Sequence, residues 1–142
     1  MCEIEPFDPS HYDAARALWV RSPGVGLSSA DSRIEIGRFL ARNPGLSLVA
    51  LDEGSLVATV LVGHDGRRGL IHHLAVDEGA RHRGLGRRLV GQALQRLGAA
   101  GIAKCHLLVF EANEPARAFW AAIGAEHRNT LTLYSLATGC GD

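Results

Sequence analysis

Arg81-His82-Arg83-Gly84-Leu85-Gly86 follows the apolar run Leu70-Ile71-His72-His73-Leu74-Ala75-Val76 and leads straight into Arg87-Arg88-Leu89-Val90. The order reads as a strand, a glycine-bearing turn and the start of a helix. Glycines at 84 and 86 let the backbone approach a ligand closely. Successive N–H groups at a helix N-terminus then form a pocket for anions, phosphates above all. The turn is therefore predicted to hold a phosphate-bearing cofactor.

Two common phosphate loops do not fit. A Walker A loop ends in Gly-Lys-Ser/Thr, whereas this turn continues Gly86-Arg87-Arg88. A dinucleotide fingerprint needs a third glycine where Leu89 stands and an acidic residue about 20 positions further on. That place falls near Lys104-Cys105-His106, which offers no carboxylate.

The pattern Arg-x-x-Gly-x-Gly after a strand ending Leu-Ala-Val resembles motif A of the GNAT N-acetyltransferases, which bind acetyl-CoA. Further along, Asn113-x-x-Ala116-x-x-x-Trp120-x-x-x-Gly124 is similar to that family's Asn-x-x-Ala-x-x-x-Tyr-x-x-x-Gly-Phe segment after the fifth strand. The resemblance covers nearly the whole chain and is strongest to small, single-domain bacterial members. It implies a mixed, mostly antiparallel α/β (α+β) sheet flanked by helices and splayed between its fourth and fifth strands, where the pantetheine arm lies. It also implies one acetyltransferase domain over residues 1–142.

Composition sets outer limits. A chain of 142 residues with 46% hydrophobic content suits one domain with a core that needs no metal or staple. Fifteen basic and fifteen acidic residues cancel, so nucleic acid and membrane surfaces are not expected partners. Neither a signal peptide nor a membrane-spanning run of about 20 apolar residues is read in the sequence. Cys2, Cys105 and Cys140 are odd in number and far apart, which points to free thiols in a reducing cytoplasm. His72-His73, His82 and Cys105-His106 share no metal-ligand spacing, so no metal is expected.

Periodicity gives the layout. Cys2–Pro6 is predicted as a strand. Ser10 is predicted to cap a helix to about Arg21 with Ala14, Ala17, Leu18 and Trp19 inward. Ser29 or Asp31 caps a second helix ending near Asn43-Pro44-Gly45. Leu46–Leu51 and Leu56–Gly63 form a hairpin through Asp52-Glu53-Gly54-Ser55, and Leu70–Val76 is the fourth strand. Leu85–Ala100 is a helix with Leu85, Leu89, Ala93 and Leu97 on one face. Cys105–Phe110 is expected as a buried strand, Glu114–Ile123 as a helix and Leu131–Leu136 as a last strand.

The chemistry of acetyl transfer to an amine narrows the catalytic candidates. Neutralising an alkylammonium of pKa near 10.4 at pH 7 costs about 4.6 kcal/mol, whereas expelling a thiolate of pKa near 8.5 costs only about 2 kcal/mol. A base matters more than an acid. Strand alternation puts Leu70, His72, Leu74 and Val76 on one face and Ile71, His73 and Ala75 on the other. His72 is the first candidate base, and packing within the sheet is the alternative reading. In the resemblance, serotonin-type acetyltransferases carry a histidine at the position of His72 and use it through water. Histone-type members carry a glutamate where this chain has Leu70. His73 is expected to be structural, under a helix. Glu111 is the rival base or amine-binding carboxylate, with a solvated loop residue as the plain alternative.

The remaining site residues concern the cofactor. Backbone N–H groups of Leu74, Ala75 and Val76 are candidates for oxyanion donors. Those of Arg83, Gly84, Leu85, Gly86 and Arg87 are expected to take the pyrophosphate, with Arg81 and Arg87 adding side-chain charge. Asn113 matches the family residue that faces the cofactor arm, and Phe119-Trp120 either walls that arm or packs in a helix core. Trp120 stands where many members have a tyrosine that protonates the thiolate, a role indole cannot fill. Ala125 replaces the family's usual aromatic.

The expected function is acetyl-CoA-dependent N-acetylation of a primary amine on a small molecule, amino acid or peptide N-terminus. The alternative is a non-catalytic acyl-CoA-binding module of the same fold. The family's acceptor site corresponds to residues near Pro23–Asp31 and Thr130–Tyr134, and homodimerisation is common among such domains.

Overall fold

The computed structural model describes residues 2–140. The chain divides into two compact units, Met1–Leu108 and Val109–Asp142.

The first unit is a five-stranded sheet in the order β1 (Cys2–Pro6), β2 (Leu48–Asp52), β3 (Ser55–His64), β4 (Gly69–Val76) and β5 (Cys105–Leu107). The first four strands are antiparallel neighbours, and β5 joins β4 in parallel. The β2–β3 turn is a two-residue loop in which Glu53 and Gly54 have φ of 50° and 84°, the twist that a tight hairpin requires.

Helix α3 (Leu85–Ala99) packs on one face through Leu85, Leu89, Val90, Ala93 and Leu97, the stripe its periodicity predicts with Val90 added. Gly69 lies so close beneath it that a Cβ would sit 2.8 Å from Leu97 Cδ1. On the other face, α1 (Tyr12–Val20) and α2 (Arg33–Arg42) bury Tyr12, Ala15, Leu18, Trp19, Ile36 and Leu40 around Phe7, Val49, Leu61 and Ala75.

Three sequence expectations shift here. Asp8, not Ser10, starts the first helical turn: its carboxylate accepts from the Ser10 N–H at 2.9 Å, and a 3₁₀ turn over Pro9–His11 precedes α1. Ala15 is buried while Ala14 and Ala17 are exposed, a phase error of one residue that a run of small alanines invites. Ser28 and Ser32, rather than Ser29 or Asp31, supply the N-cap side chains of the 3₁₀ turn Ser29–Asp31 and of α2.

The fifth strand is also shorter than expected and not fully buried. It ends at Leu107, Cys105 and Leu107 are half-buried, and Leu108 and Phe110 are exposed.

In the second unit, helix α4 (Glu114–Ala122) is capped at its start by the Asn113 side chain, whose Oδ1 accepts from the Ala116 N–H at 3.2 Å. At its end, Gly124 takes φ 99°, and the N–H groups of Gly124 and Ala125 donate to the carbonyls of Ala121 and Trp120. The predicted strand Leu131–Leu136 is not formed; Leu131, Leu133, Tyr134 and Leu136 are exposed. Alternation marks a segment able to be a strand, but a strand exists only through a ladder partner, and here it has none among the described residues.

Candidate active site

The fourth strand carries the feature that organises the site. Thr59 pairs with Ala75 and Leu61 with His72, so one residue of β3 faces two of β4, His73 and Leu74. This is a β-bulge, and His73 adopts φ 47° within it, a left-handed backbone that costs a non-glycine residue of order 1–3 kcal/mol.

The bulge overturns the simple alternation. His72 and His73 do not lie on opposite faces: His72 sets its ring edge-on to Phe39 of α2 (6.0 Å), and His73 sets its own against Trp19 of α1 (4.9 Å). Both rings face the α1–α2 side. An extra residue in the strand re-phases every side chain beyond it, so Ala75 joins the Trp19 cluster.

His73 is held at both ends. Its Nε2 lies 2.7 Å from Oδ1 of Asp31, which is 5% exposed. Its carbonyl accepts from Thr59 Oγ1 at 2.9 Å, and that oxygen in turn accepts from Trp19 Nε1 at 2.8 Å. Asp31 is itself fixed, with Oδ2 accepting from the Ser28 N–H at 2.9 Å and its carbonyl accepting from the Tyr12 hydroxyl at 2.6 Å. The sequence reading missed this network. Asp31 looks like one more capping residue in a Ser-Ser-Ala-Asp-Ser stretch, and nothing in His72-His73 announces a bulge.

His72 is half-buried. Burial, followed by the adjoining His73, pushes its imidazole below its ordinary value of 6.5, against the opposing pull of the Asp31 carboxylate. At pH 7 the ring is neutral and able to accept a proton.

Pairing between β4 and β5 stops at Ile71 and Leu107. From His72 to Val76 the side of β4 turned away from β3 has no strand partner among the described residues, so the Leu74–Val76 backbone borders an open edge.

After β4, a 3₁₀ turn over Glu78–Ala80 leads into the glycine turn, where His82 and Gly84 have φ of 66° and 74°. Left-handed residues thus flank Arg83 at the turn. The first helical bond of α3 is Arg88 N–H to the Gly84 carbonyl, which leaves the N–H groups of Leu85, Gly86 and Arg87 at the helix mouth. Free backbone donors and the positive end of the helix dipole are what draw an anion to a helix N-terminus.

The arginines divide their duties. Arg81 Nε donates to the Val76 carbonyl at 3.0 Å, and Arg83 reaches the Gly79 carbonyl and Asp52. Arg87 is exposed on α3. Arg21 grips Asp77 at 3.0 and 3.1 Å, tying the end of α1 to the end of β4 beside a cleft of about 280 Å³. A larger open hollow of about 560 Å³ lies at the far end of α3, lined by Leu97, Ile102 and Cys105, away from these groups.

The other predicted site residues belong to the second unit. Glu111 is exposed and its carbonyl accepts from Arg117. Asn113 spends its amide oxygen capping α4. Phe119 and Trp120 are half-buried and meet edge to face at 5.2 Å.

The sequence profile of the Acetyltransferase (GNAT) family matches residues 12–125. The chain belongs to this family. An acetyltransferase of Pectobacterium atrosepticum is 32% identical over 131 residues, covering 92% of each chain. Among solved structures, Ard1 from Thermoplasma volcanium superposes with a TM-score of 0.77 at 21% identity, over 87% of this chain and 81% of its own. The PaiA N-acetyltransferase of Thermoplasma acidophilum, solved in complex with coenzyme A, gives 0.74 at 18% identity, over 87% of this chain and 89% of its own.

The GNAT chain is thus an N-acetyltransferase whose acetyl donor is acetyl-CoA, built on the mixed, mostly antiparallel sheet that the sequence implies. No helix among the described residues is long and apolar enough to cross a membrane.

Proposed function

We propose that this enzyme acetylates a primary amine of a small molecule, an amino acid or a peptide N-terminus by direct attack within a ternary complex, with His72 as the base. The observation that carries the reading is the position of His72: half-buried, with its pKa held down by that burial, and at the bulge where β4 parts from β5. Acetyl-CoA supplies a thioester carbonyl and a thiol leaving group.

The chain's own groups do the rest. His72 removes the proton from the incoming ammonium, directly or through one water. Backbone N–H groups along Leu74–Val76 stabilise charge as it grows on the carbonyl oxygen. The N–H groups of Arg83–Arg87 hold the pyrophosphate, with Arg81 and Arg87 as positive surroundings. Asn113, Phe119 and Trp120 are assigned to the cofactor arm, and Glu111 stands as the rival carboxylate. With tryptophan at 120, the thiolate leaves without an acid, which the small cost of that step tolerates.

Direct attack is favoured over an acyl-cysteine because burial pushes the Cys105 thiol up, away from its nucleophilic form. The acceptor is assigned to the side of the Pro23–Asp31 loop. Reading the three free cysteines as reduced thiols is consistent with a cytoplasmic enzyme.

A panel of primary amines assayed for acetyl-CoA-dependent thiol release tests the proposal. Intersecting initial-rate lines on at least one amine are expected. Parallel lines would indicate an acetyl-enzyme, and cofactor binding without turnover on any amine would contradict the acceptor class.

A further inference from the structure

We propose that Asp31 and His73 form a positioning pair for His72, tying the loop between α1 and α2 to the bulge of β4 and fixing both the direction of the His72 ring and the charge around it. The inference rests on His72 as the base; its test does not.

His73 can transmit little slack to its peptide-bonded neighbour, because its ring is held by Asp31 at 2.7 Å and its carbonyl by Thr59 at 2.9 Å. Each holder is itself held, Asp31 by Ser28 and Tyr12, Thr59 by Trp19. A proton acceptor displaced by about 1 Å can lose about 100-fold in rate, so a pinned bulge has direct value to the base beside it.

Among the described residues, the titratable groups acting on the His72 ring are His73 on its own strand and Asp31 on the 3₁₀ turn. The neighbours that α2 and β3 place beside it, Phe39 and the register partner Leu61, are uncharged. The Asp31 carboxylate favours a proton on His72, and the His73 ring disfavours one. With the ring's burial unchanged, removing one partner or the other is expected to move His72 in opposite senses, which loss of packing alone would not do.

The test is an NMR titration of the full chain labelled at its histidine rings, with the His72 signal assigned through His72→Gln. Relative to wild type, Asp31→Asn should make His72 titrate at lower pH and His73→Gln at higher pH. His73→Asn, whose side chain tolerates the left-handed backbone, guards against a folding defect and should move His72 in the same direction as His73→Gln. With an acceptor in hand, the acid limb of kcat/KM should follow these shifts while KM for acetyl-CoA stays within about twofold. No movement of His72, or movement in one direction for both partners, overturns the pair. Shifts as expected together with full turnover in His72→Gln would leave the pair standing and remove His72 as base. The reverse result, an unmoved His72 in a chain that needs it for turnover, would remove the pair alone.

Discussion

At the residue scale, the site depends on a few polar atoms buried without slack. Thr59 is fully buried and joins Trp19 Nε1 to the His73 carbonyl. Thr59→Val keeps the shape but strands the indole N–H, so it should lower stability by about 1–3 kcal/mol, measured by thermal or urea unfolding. His72 adds a pH dependence of known sign. Its folded-state value lies below 6.5, so the unfolded chain binds its proton first as pH falls. Stability attributable to His72 is full above pH 6.5 and declines as pH drops through and below that value. His72→Gln should flatten this part of a stability-versus-pH curve.

At the scale of elements, two glycines make contrasting predictions. Gly84 has φ 74° and open space where an added methyl would sit, so Gly84→Ala carries a backbone penalty alone, about 1–2 kcal/mol. Because the same residue shapes the turn proposed to hold the pyrophosphate, acetyl-CoA affinity measured by calorimetry should fall with it. Gly69 has ordinary backbone but no room, with Leu97 Cδ1 at 2.8 Å and Cys105 Cβ at 3.0 Å. Gly69→Ala should destabilise by about 1–3 kcal/mol through overpacking between β4 and α3, leaving acetyl-CoA affinity of the folded protein unchanged.

Elements with strong local signals were legible in the sequence: β1 and β4, the Glu53-Gly54 hairpin, and α3 with its inward stripe. The bulge was not, because alternation counts residues and an inserted one leaves no mark when its left-handed position is filled by histidine rather than glycine. The Asp31–His73 contact spans 42 positions and depends on that bulge, so no local pattern could disclose it. The Leu131–Leu136 segment failed for the converse reason: its pattern was clear and its pairing absent among the described residues.

At the scale of the whole molecule, balanced charge provides no general positive field to draw in acetyl-CoA, so the proposed reading assigns its recognition to the local donors of the α3 mouth. Excess acetyl-CoA at a hundredfold over Kd should stabilise the chain by about 2.7 kcal/mol. For a protein of this size that raises Tm by several degrees, and NAD or ATP should not match it.

The most direct test of the account is the pH dependence of kcat/KM for acetylation of an amine substrate by wild-type and His72→Gln enzymes. The account predicts a wild-type profile that rises with pH through a limb below 6.5. In the variant that limb disappears and the rate falls about 10²- to 10⁴-fold with acetyl-CoA affinity retained. A variant that keeps both the rate and the limb would contradict His72 as the base.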